Sequence, residues 1–375
     1  MAGIYLHIPF CKKACHYCDF HFSTSPVYKD EMVAALRSEL LLQKNYLKDM
    51  PVETIYFGGG TPSVLAADDI ARIVGDIYEN YQVSADPEIT LEANPDDLNP
   101  QKVRELKATL VNRFSIGIQS FFEEDLVWMN RAHNASEAES SVKRVQDAGF
   151  TNITVDLIYG YPLLSDEKWM ENIRQVIELG VPHISAYGMT VEPATALASF
   201  IRTGKQQAMN EAQSADQFII LMETLQDAGF EHYEISNFAQ PGHHSRHNSN
   251  YWNGVPYLGI GPSAHSFKDN TRQWNVANNA KYIRSIGAGL IPAETEILTE
   301  TNRINEYIMT SLRTAKGMDL QRISDTFGDN YSSAIGNELE KFAENNWISQ
   351  NGSVVTLTTT GKLYADHIAS GLFVE

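Results

Sequence analysis

Basic charge is scarce in this 375-residue chain: 29 lysines and arginines stand against 47 aspartates and glutamates, a net charge of −18. That balance excludes the broad positive footprint with which nucleic-acid binders neutralise phosphates, and gives no general support for docking on anionic lipid. Long apolar runs are missing too. None approaches the ~20 residues a membrane-spanning helix requires, so no membrane span is expected. The opening MAGIYLHIPF has no basic segment ahead of a long apolar core, so no secretory signal is expected there. Cysteine is rarer still. Its three copies, Cys11, Cys15 and Cys18, fall within eight positions, an odd number that excludes a disulfide framework. Clustered, unpaired thiols suit a reducing compartment, and the chain is expected in the cytoplasm. There is no internal repeat and no low-complexity linker.

What is present is alternation. Short β-rich runs at 4–8, 54–59, 88–94, 113–119, 152–160 and 183–189 are separated by helical patterns at 28–46, 68–81, 137–148, 166–179 and 211–228. Repeated strand–helix order predicts parallel βα units, as an incomplete barrel or an open twisted sheet. In either, chemistry collects at the C-terminal ends of the strands. The uncommon features fall there: the cysteines after strand one, GGGTP (58–62) after strand two, EANP (92–95) after strand three, Gln119 at the end of strand four and Asp156 within strand five. Residues 1–236 read as this barrel-like unit. Residues 237–298, rich in Gly, Pro, His, Asn and aromatics, read as an ordered loop layer and connection. Residues 299–375 carry three helical patterns and the hairpin-like WISQNGSVVTLT, as in a small winged-helix module. Few basic residues there point to a packing or partner role rather than DNA binding.

The thiols admit several readings. A structural zinc site needs four ligands, and His7, His16 or His21 could add a nitrogen to the three sulfurs. A redox pair needs only Cys15 and Cys18 and leaves Cys11 unexplained. Three buried small residues are a further reading, at odds with a loop that also carries lysine and histidine. Soft thiolates on a flexible loop favour an iron–sulfur cluster. At GGGTP the glycines let backbone approach a ligand, and backbone N–H groups can hold a carboxylate. Carboxylates such as Glu92 and Asp156 suit amines or ribose hydroxyls, and Arg131 suits a carboxylate.

Cys11-x3-Cys15-x-Tyr17-Cys18, preceded by Tyr5 and followed by GGGTP, resembles the radical S-adenosylmethionine (SAM) superfamily. The resemblance implies a partial (β/α)6 barrel of the TIM-like type. It also implies that each cysteine holds one iron of a 4Fe-4S cluster, whose fourth iron is chelated by the methionine part of SAM. In that family an electron donor reduces the cluster, which then breaks the sulfonium to give a 5′-deoxyadenosyl radical. On the same resemblance Gly59, Gly60 and Thr61 hold the methionine end, and Tyr5, Tyr17, Glu92, Gln119, Arg131 and Asp156 complete the SAM site.

YLHIPFC, GGGTP, VDLIYGYP and LGIGPSAHSF together resemble the anaerobic coproporphyrinogen III oxidase family, from Tyr5 almost to the end of the chain. The oxidases carry a fourth cysteine two positions after the third, where this chain has Phe20, and an extension ahead of the first strand. This chain opens just before that strand. Both departures, and His247-Asn248-Ser249-Asn250-Tyr251, are shared with the HemW-type heme chaperones. The resemblance therefore implies heme binding through His247, Asn248 and Tyr251, with a neutral His247 as axial ligand of the heme iron. His243, His244 and His265 are competitors for that role, and His265 could instead face the cluster. The expected function is heme delivery to acceptor proteins, with oxygen-independent oxidation of coproporphyrinogen III as the alternative. The radical machinery is common to both readings, so no catalytic residue is assigned.

Overall fold

The computed structural model describes residues 1–375. Six parallel strands follow one another in chain order: β1 (Ala2–Ile8), β2 (Val52–Gly59), β3 (Val83–Ala93), β4 (Arg113–Gln119), β5 (Asn152–Tyr159) and β6 (His183–Gly188). Helices connect them, as parallel neighbours require. Strict alternation explains why these segments form one curved sheet. Ile4, Leu6, Ile55, Phe57, Ile89, Leu91, Phe114, Ile116, Ile153, Val155 and Ile184 occupy one face and join the main apolar core. The residues between them, including Tyr5, Tyr56, Glu92, Ser115, Asp156 and Ser185, share the opposite face, because side chains alternate along a strand. One face is apolar and covered by helices; the other is polar and faces the barrel interior.

The six-stranded arc is the incomplete barrel the sequence implies, and it continues at both ends. β7 (Glu231–Glu234) and β8 (Asn237–Ala239) extend it antiparallel beyond β6. β9 (Tyr257–Ile260) runs parallel to β1, followed by antiparallel β10 (His265–Lys268), β11 (Thr271–Asn275) and β12 (Ala293–Ile297). The sheet ends at β12 on one side and β7 on the other, so it never closes. Residues 237–298 are thus no loop layer. They add five strands and the helices Arg246–Trp252 and Asn279–Gly287. Strands of three to five residues are too short to display a clear period amid glycine, proline and asparagine.

Beyond β12 a second apolar cluster forms around Ile308, Leu339, Phe342 and Val355. Its helices are Glu300–Leu312, Leu320–Phe327, Asp329–Glu344, Thr359–Lys362 and Ala365–Gly371. β13 (Met318–Asp319), β14 (Ile348–Asn351) and β15 (Val354–Leu357) complete a winged-helix-like unit. Gly352, with φ +62°, begins the two-residue turn between β14 and β15. Two backbone hydrogen bonds join this unit to the barrel: Ile235 N–H to Arg313 O at 3.0 Å, and Ala315 N–H to Tyr233 O at 3.0 Å. No helix is long and apolar enough to cross a membrane.

Polar groups also lock the barrel floor. Arg113, 1% exposed, lies with Nε 3.8 Å from Glu88 Oε2, and its guanidinium donates to the Thr154 hydroxyl. Thr154 Oγ1 is 3.0 Å from His183 Nδ1, and His183 Nε2 is 2.7 Å from the Tyr233 hydroxyl. The chain of contacts runs across β3, β4, β5, β6 and β7. Removing one member of a buried ion pair leaves the other charge without compensation. Arg113→Ala should therefore lower unfolding free energy by about 3–5 kcal/mol in urea titrations; a change under about 0.5 kcal/mol would show that the floor does not depend on this pair.

Candidate radical SAM site

The three cysteines lie on the irregular segment between β1 and the helix Lys29–Leu42, all half-buried and none in a disulfide. A segment without regular structure needs other restraints, and they come from both sides. Cys11 N–H donates to Ser23 O at 3.0 Å, and Ser23 N–H to Pro9 O at 2.9 Å, closing the base of the loop. At the tip, His16 N–H reaches Met129 O at 3.1 Å, and Asn130 Nδ2 donates to Ala14 O at 2.7 Å. Leu197 N–H binds His16 O at 2.8 Å from the far side.

Arg131 is the centre of these restraints. Its Nη1 lies 3.3 Å from Cys15 Sγ and 3.5 Å from the Tyr17 hydroxyl; its Nη2 donates to Asn94 Oδ1 at 2.8 Å and to Gly117 O at 2.6 Å. Nε is buried and has no partner. Burial alone would pull its pKa down, but Tyr17 and Cys15 outweigh that and hold it above the ordinary value. Thr61 donates its hydroxyl to Cys11 Sγ at 3.4 Å. Burial raises the Cys11 thiol and pushes Cys18 up to about 11; both are protonated thiols until a metal displaces the proton.

GGGTP sits where expected, at the end of β2 beside the cysteine loop, and two of its amides bond within the protein. Gly60 N–H donates to Ile8 O at 2.9 Å and Thr61 N–H to Phe10 O at 2.7 Å, while Gly59 N–H helps hold the Glu92 carboxylate. The glycines are required for packing. A Cβ on Gly59, whose φ is +104°, would lie 2.6 Å from the His7 ring, and one on Gly60 2.7 Å from Phe10 O. His7 is buried, which lowers its pKa to about 4, and its Nε2 contacts His21 O at 2.8 Å. His21 and His265 add to that lowering, so His265, exposed at the start of β10, neighbours this rim.

Inside the barrel, Tyr56 donates to Glu92 Oε1 at 2.8 Å, and Ser115 to Asp156 Oδ1 at 3.1 Å. Burial raises Glu92 to about 7, helped by Asp156, and raises Asp156 above its ordinary range. Gln119 ends β4 with φ +70° at a register shift against β5. A left-handed non-glycine residue costs of order 1–3 kcal/mol and marks functional sites. Tyr5 stacks near Tyr56, centroids 6.2 Å apart. Sequence reasoning missed Tyr56, Asn94 and Ser115, which orient the named residues; the signal was a polar residue at each inward position of an otherwise apolar strand.

Three thiols with hydroxyl and guanidinium donors at two sulfurs, and a buried guanidinium nitrogen left over, fit an anionic cluster of sulfide and thiolate. No three His, Cys, Asp or Glu converge as a single-ion site. A four-iron cluster makes no such demand, because its thiolates bind different irons.

The sequence comparisons agree. Residues 5–176 match the radical SAM superfamily and 298–364 the HemN C-terminal domain. A protein of Bacillus subtilis (strain 168) named heme chaperone HemW is 33% identical over all of both chains. The chain belongs to the HemW family of radical SAM proteins. Its counterpart of that name in Escherichia coli (strain K12) is 36% identical over 70% of this chain and 69% of its own length. Coproporphyrinogen III oxidase (HemN) from Escherichia coli shares the fold, with TM-score 0.85 over 100% of this chain and 90% of its own, at 23% identity. Membership of the superfamily brings the 4Fe-4S cluster and SAM as its cofactors.

The His-Asn-x-x-Tyr motif is elsewhere. His247, 3% exposed, points from the helix Arg246–Trp252 into the barrel floor. Its Nδ1 lies 2.8 Å from the Thr54 hydroxyl and its Nε2 3.3 Å from that of Tyr251, and its ring stacks on Tyr56 at 4.9 Å. Glu88 accepts its backbone N–H at 2.9 Å. Burial lowers its pKa to about 3, so the ring is neutral, as an iron ligand must be. Both ring nitrogens are engaged within the protein. Asn248 and Tyr251 are half-buried on the same helix. Of the competing histidines, His244 contacts Glu231 at 2.7 Å and stacks on Tyr233 at 4.2 Å, and His243 is half-buried.

Two outcomes follow. Glu92 binds its proton more tightly folded than unfolded, so stability falls as pH rises from about 4.5 to about 7 and levels off above. Ligand-free Glu92→Gln should accordingly gain stability over wild type at about pH 8 and match it near pH 4; equal gains at both would refute the buried, proton-holding carboxyl. His247→Ala should cost the ligand-free protein about 2–4 kcal/mol, since it removes two hydrogen bonds and a stacked ring. An unchanged unfolding midpoint would show instead a free, exposed histidine.

Proposed function

We propose that this protein is a heme chaperone, binding heme and passing it to acceptor proteins. The observation that carries the reading is the similarity, over the full length of both chains, to a relative named heme chaperone HemW. Phe20 supports it: an exposed apolar side chain, 67% accessible, stands where the resembling oxidases have a fourth cysteine. In this reading Cys11, Cys15 and Cys18 carry three irons of a 4Fe-4S cluster, and Tyr5, Tyr17, Gly59, Gly60, Thr61, Glu92, Gln119, Arg131 and Asp156 surround SAM. When loaded, the pair supplies one-electron chemistry, for which an external electron donor is needed. The chain's own part is electrostatic. Arg131 and Thr61 donate toward sulfur, offsetting negative charge where solvent is limited. Glu92 and Asp156 offer carboxylates to the ammonium and ribose hydroxyls of SAM, and a cation beside Glu92 favours its ionised form.

Heme delivery separates from porphyrin oxidation in one experiment. The cluster is reconstituted without oxygen, and heme uptake and coproporphyrinogen decarboxylation are assayed on the same sample. Stoichiometric heme uptake without decarboxylation is expected; robust decarboxylation would sink the reading. In parallel, Cys15→Ser should lose the complete four-iron cluster, and a full iron and sulfide content would overturn the ligand assignment.

A further inference from the structure

A cavity of about 400 Å³ lies between the helix Arg246–Trp252, strands β9–β11 and the first two helices of the C-terminal unit. Its size falls within the roughly 300–1,000 Å³ of small-ligand sites. Two properties set its chemistry. The walls are aromatic, with Tyr251 and Tyr257 packed edge to face at 4.5 Å and Tyr307 and Phe327 opposite. Three arginines, Arg272, Arg303 and Arg322, also line it, in a chain whose net charge is −18. Arg272 is paired with Glu306 at 2.9 Å, and Asp269 is the other carboxylate present. Arg303 and Arg322 lie over the rings of Phe327 and Tyr307, at 5.3 and 4.6 Å, with no carboxylate partner. Flat apolar walls beneath two uncommitted guanidinium groups suit a planar aromatic molecule with carboxylates on one edge, because arginine binds carboxylates in a bidentate fork.

We propose that this inter-unit cavity is the heme seat: the porphyrin edge lies among Tyr251, Tyr257 and Phe327, and Arg303 and Arg322 take the two propionates. The proposal rests on the heme-chaperone reading and names a site within it. It also relieves a conflict in the motif. His247 is committed to the barrel floor, whereas Tyr251, one turn later, turns the wall of its ring to the cavity. The seat draws on both units, so its occupant bridges the barrel and the C-terminal unit.

The test uses the full chain and two probes, heme and heme dimethyl ester, titrated by Soret absorbance. Wild type should prefer heme to the ester. Arg303→Glu/Arg322→Glu should weaken heme binding about tenfold to a hundredfold and bind the two probes alike. Arg303→Gln/Arg322→Gln replaces it should charge reversal unfold the C-terminal unit. Unchanged heme affinity in a folded double variant would overturn this seat and leave the chaperone reading standing. Wild type that takes up no heme would overturn both.

Discussion

The cysteine loop has no helix or strand of its own, so its shape depends on one buried cation. Arg131 reaches Cys15 and Tyr17 on the loop, Asn94 after β3 and Gly117 within β4. A planar guanidinium with five donors in fixed directions can bridge four such groups; a lysine ammonium could not span them. Gly117 is part of the same arrangement, since a Cβ there would stand 3.2 Å from Arg131 Nη2 and 3.0 Å from Gln119 Nε2. The small residue admits the arginine, the arginine holds the loop, and the strained backbone of Gln119 closes the end of β4 around both.

A second layer of polar contacts supports this one from below. Glu88 accepts the first two backbone N–H groups of the helix Arg246–Trp252 while facing Arg113. A short helix is thereby plugged into the barrel floor, and His247 fills the space between Thr54, Tyr56 and Tyr251. The same helix ends at Trp252, over which the Arg313 guanidinium lies at 5.5 Å. One seven-residue element thus touches the barrel interior at its start and the C-terminal unit at its end. The helix therefore contacts both the polar barrel interior and the cavity beside it.

The parallel strands were readable because each keeps strict alternation, and the long helices because their apolar residues recur at helical spacing. In the structure Asn134 and Glu137 close a reciprocal capping box at the start of one of these helices. β8 to β12 were not readable, since three- to five-residue strands leave too few positions for a period. Among site residues, the cysteines and Arg131 drew attention by residue type and order. The internal bonds of GGGTP could not be read, because a glycine run in sequence does not show that the Gly60 and Thr61 amides reach Ile8 and Phe10. The packing of His247 could not be read either: only tertiary structure shows the Thr54 and Tyr251 hydroxyls beside its two ring nitrogens.

The open barrel explains why these features coexist. A closed eight-stranded barrel fills its interior with branched apolar side chains. Six parallel strands extended at both ends by antiparallel ones instead leave an interior lined by Tyr56, Glu92, Ser115, Asp156 and Ser185. Apolar packing cannot satisfy such a surface: buried carboxylates need hydrogen-bond donors or cations to remain ionised. Tyr56 and Ser115 satisfy part of that need, and Glu92 still holds its proton to about 7. The unmet remainder is a preference for a positively charged, donor-rich occupant at the mouth. Arg303 and Arg322, the uncommitted arginines of the inter-unit cavity, set the opposite preference. One chain thus places buried carboxylates in the barrel and two unpaired arginines in the inter-unit cavity, with the helix Arg246–Trp252 between them.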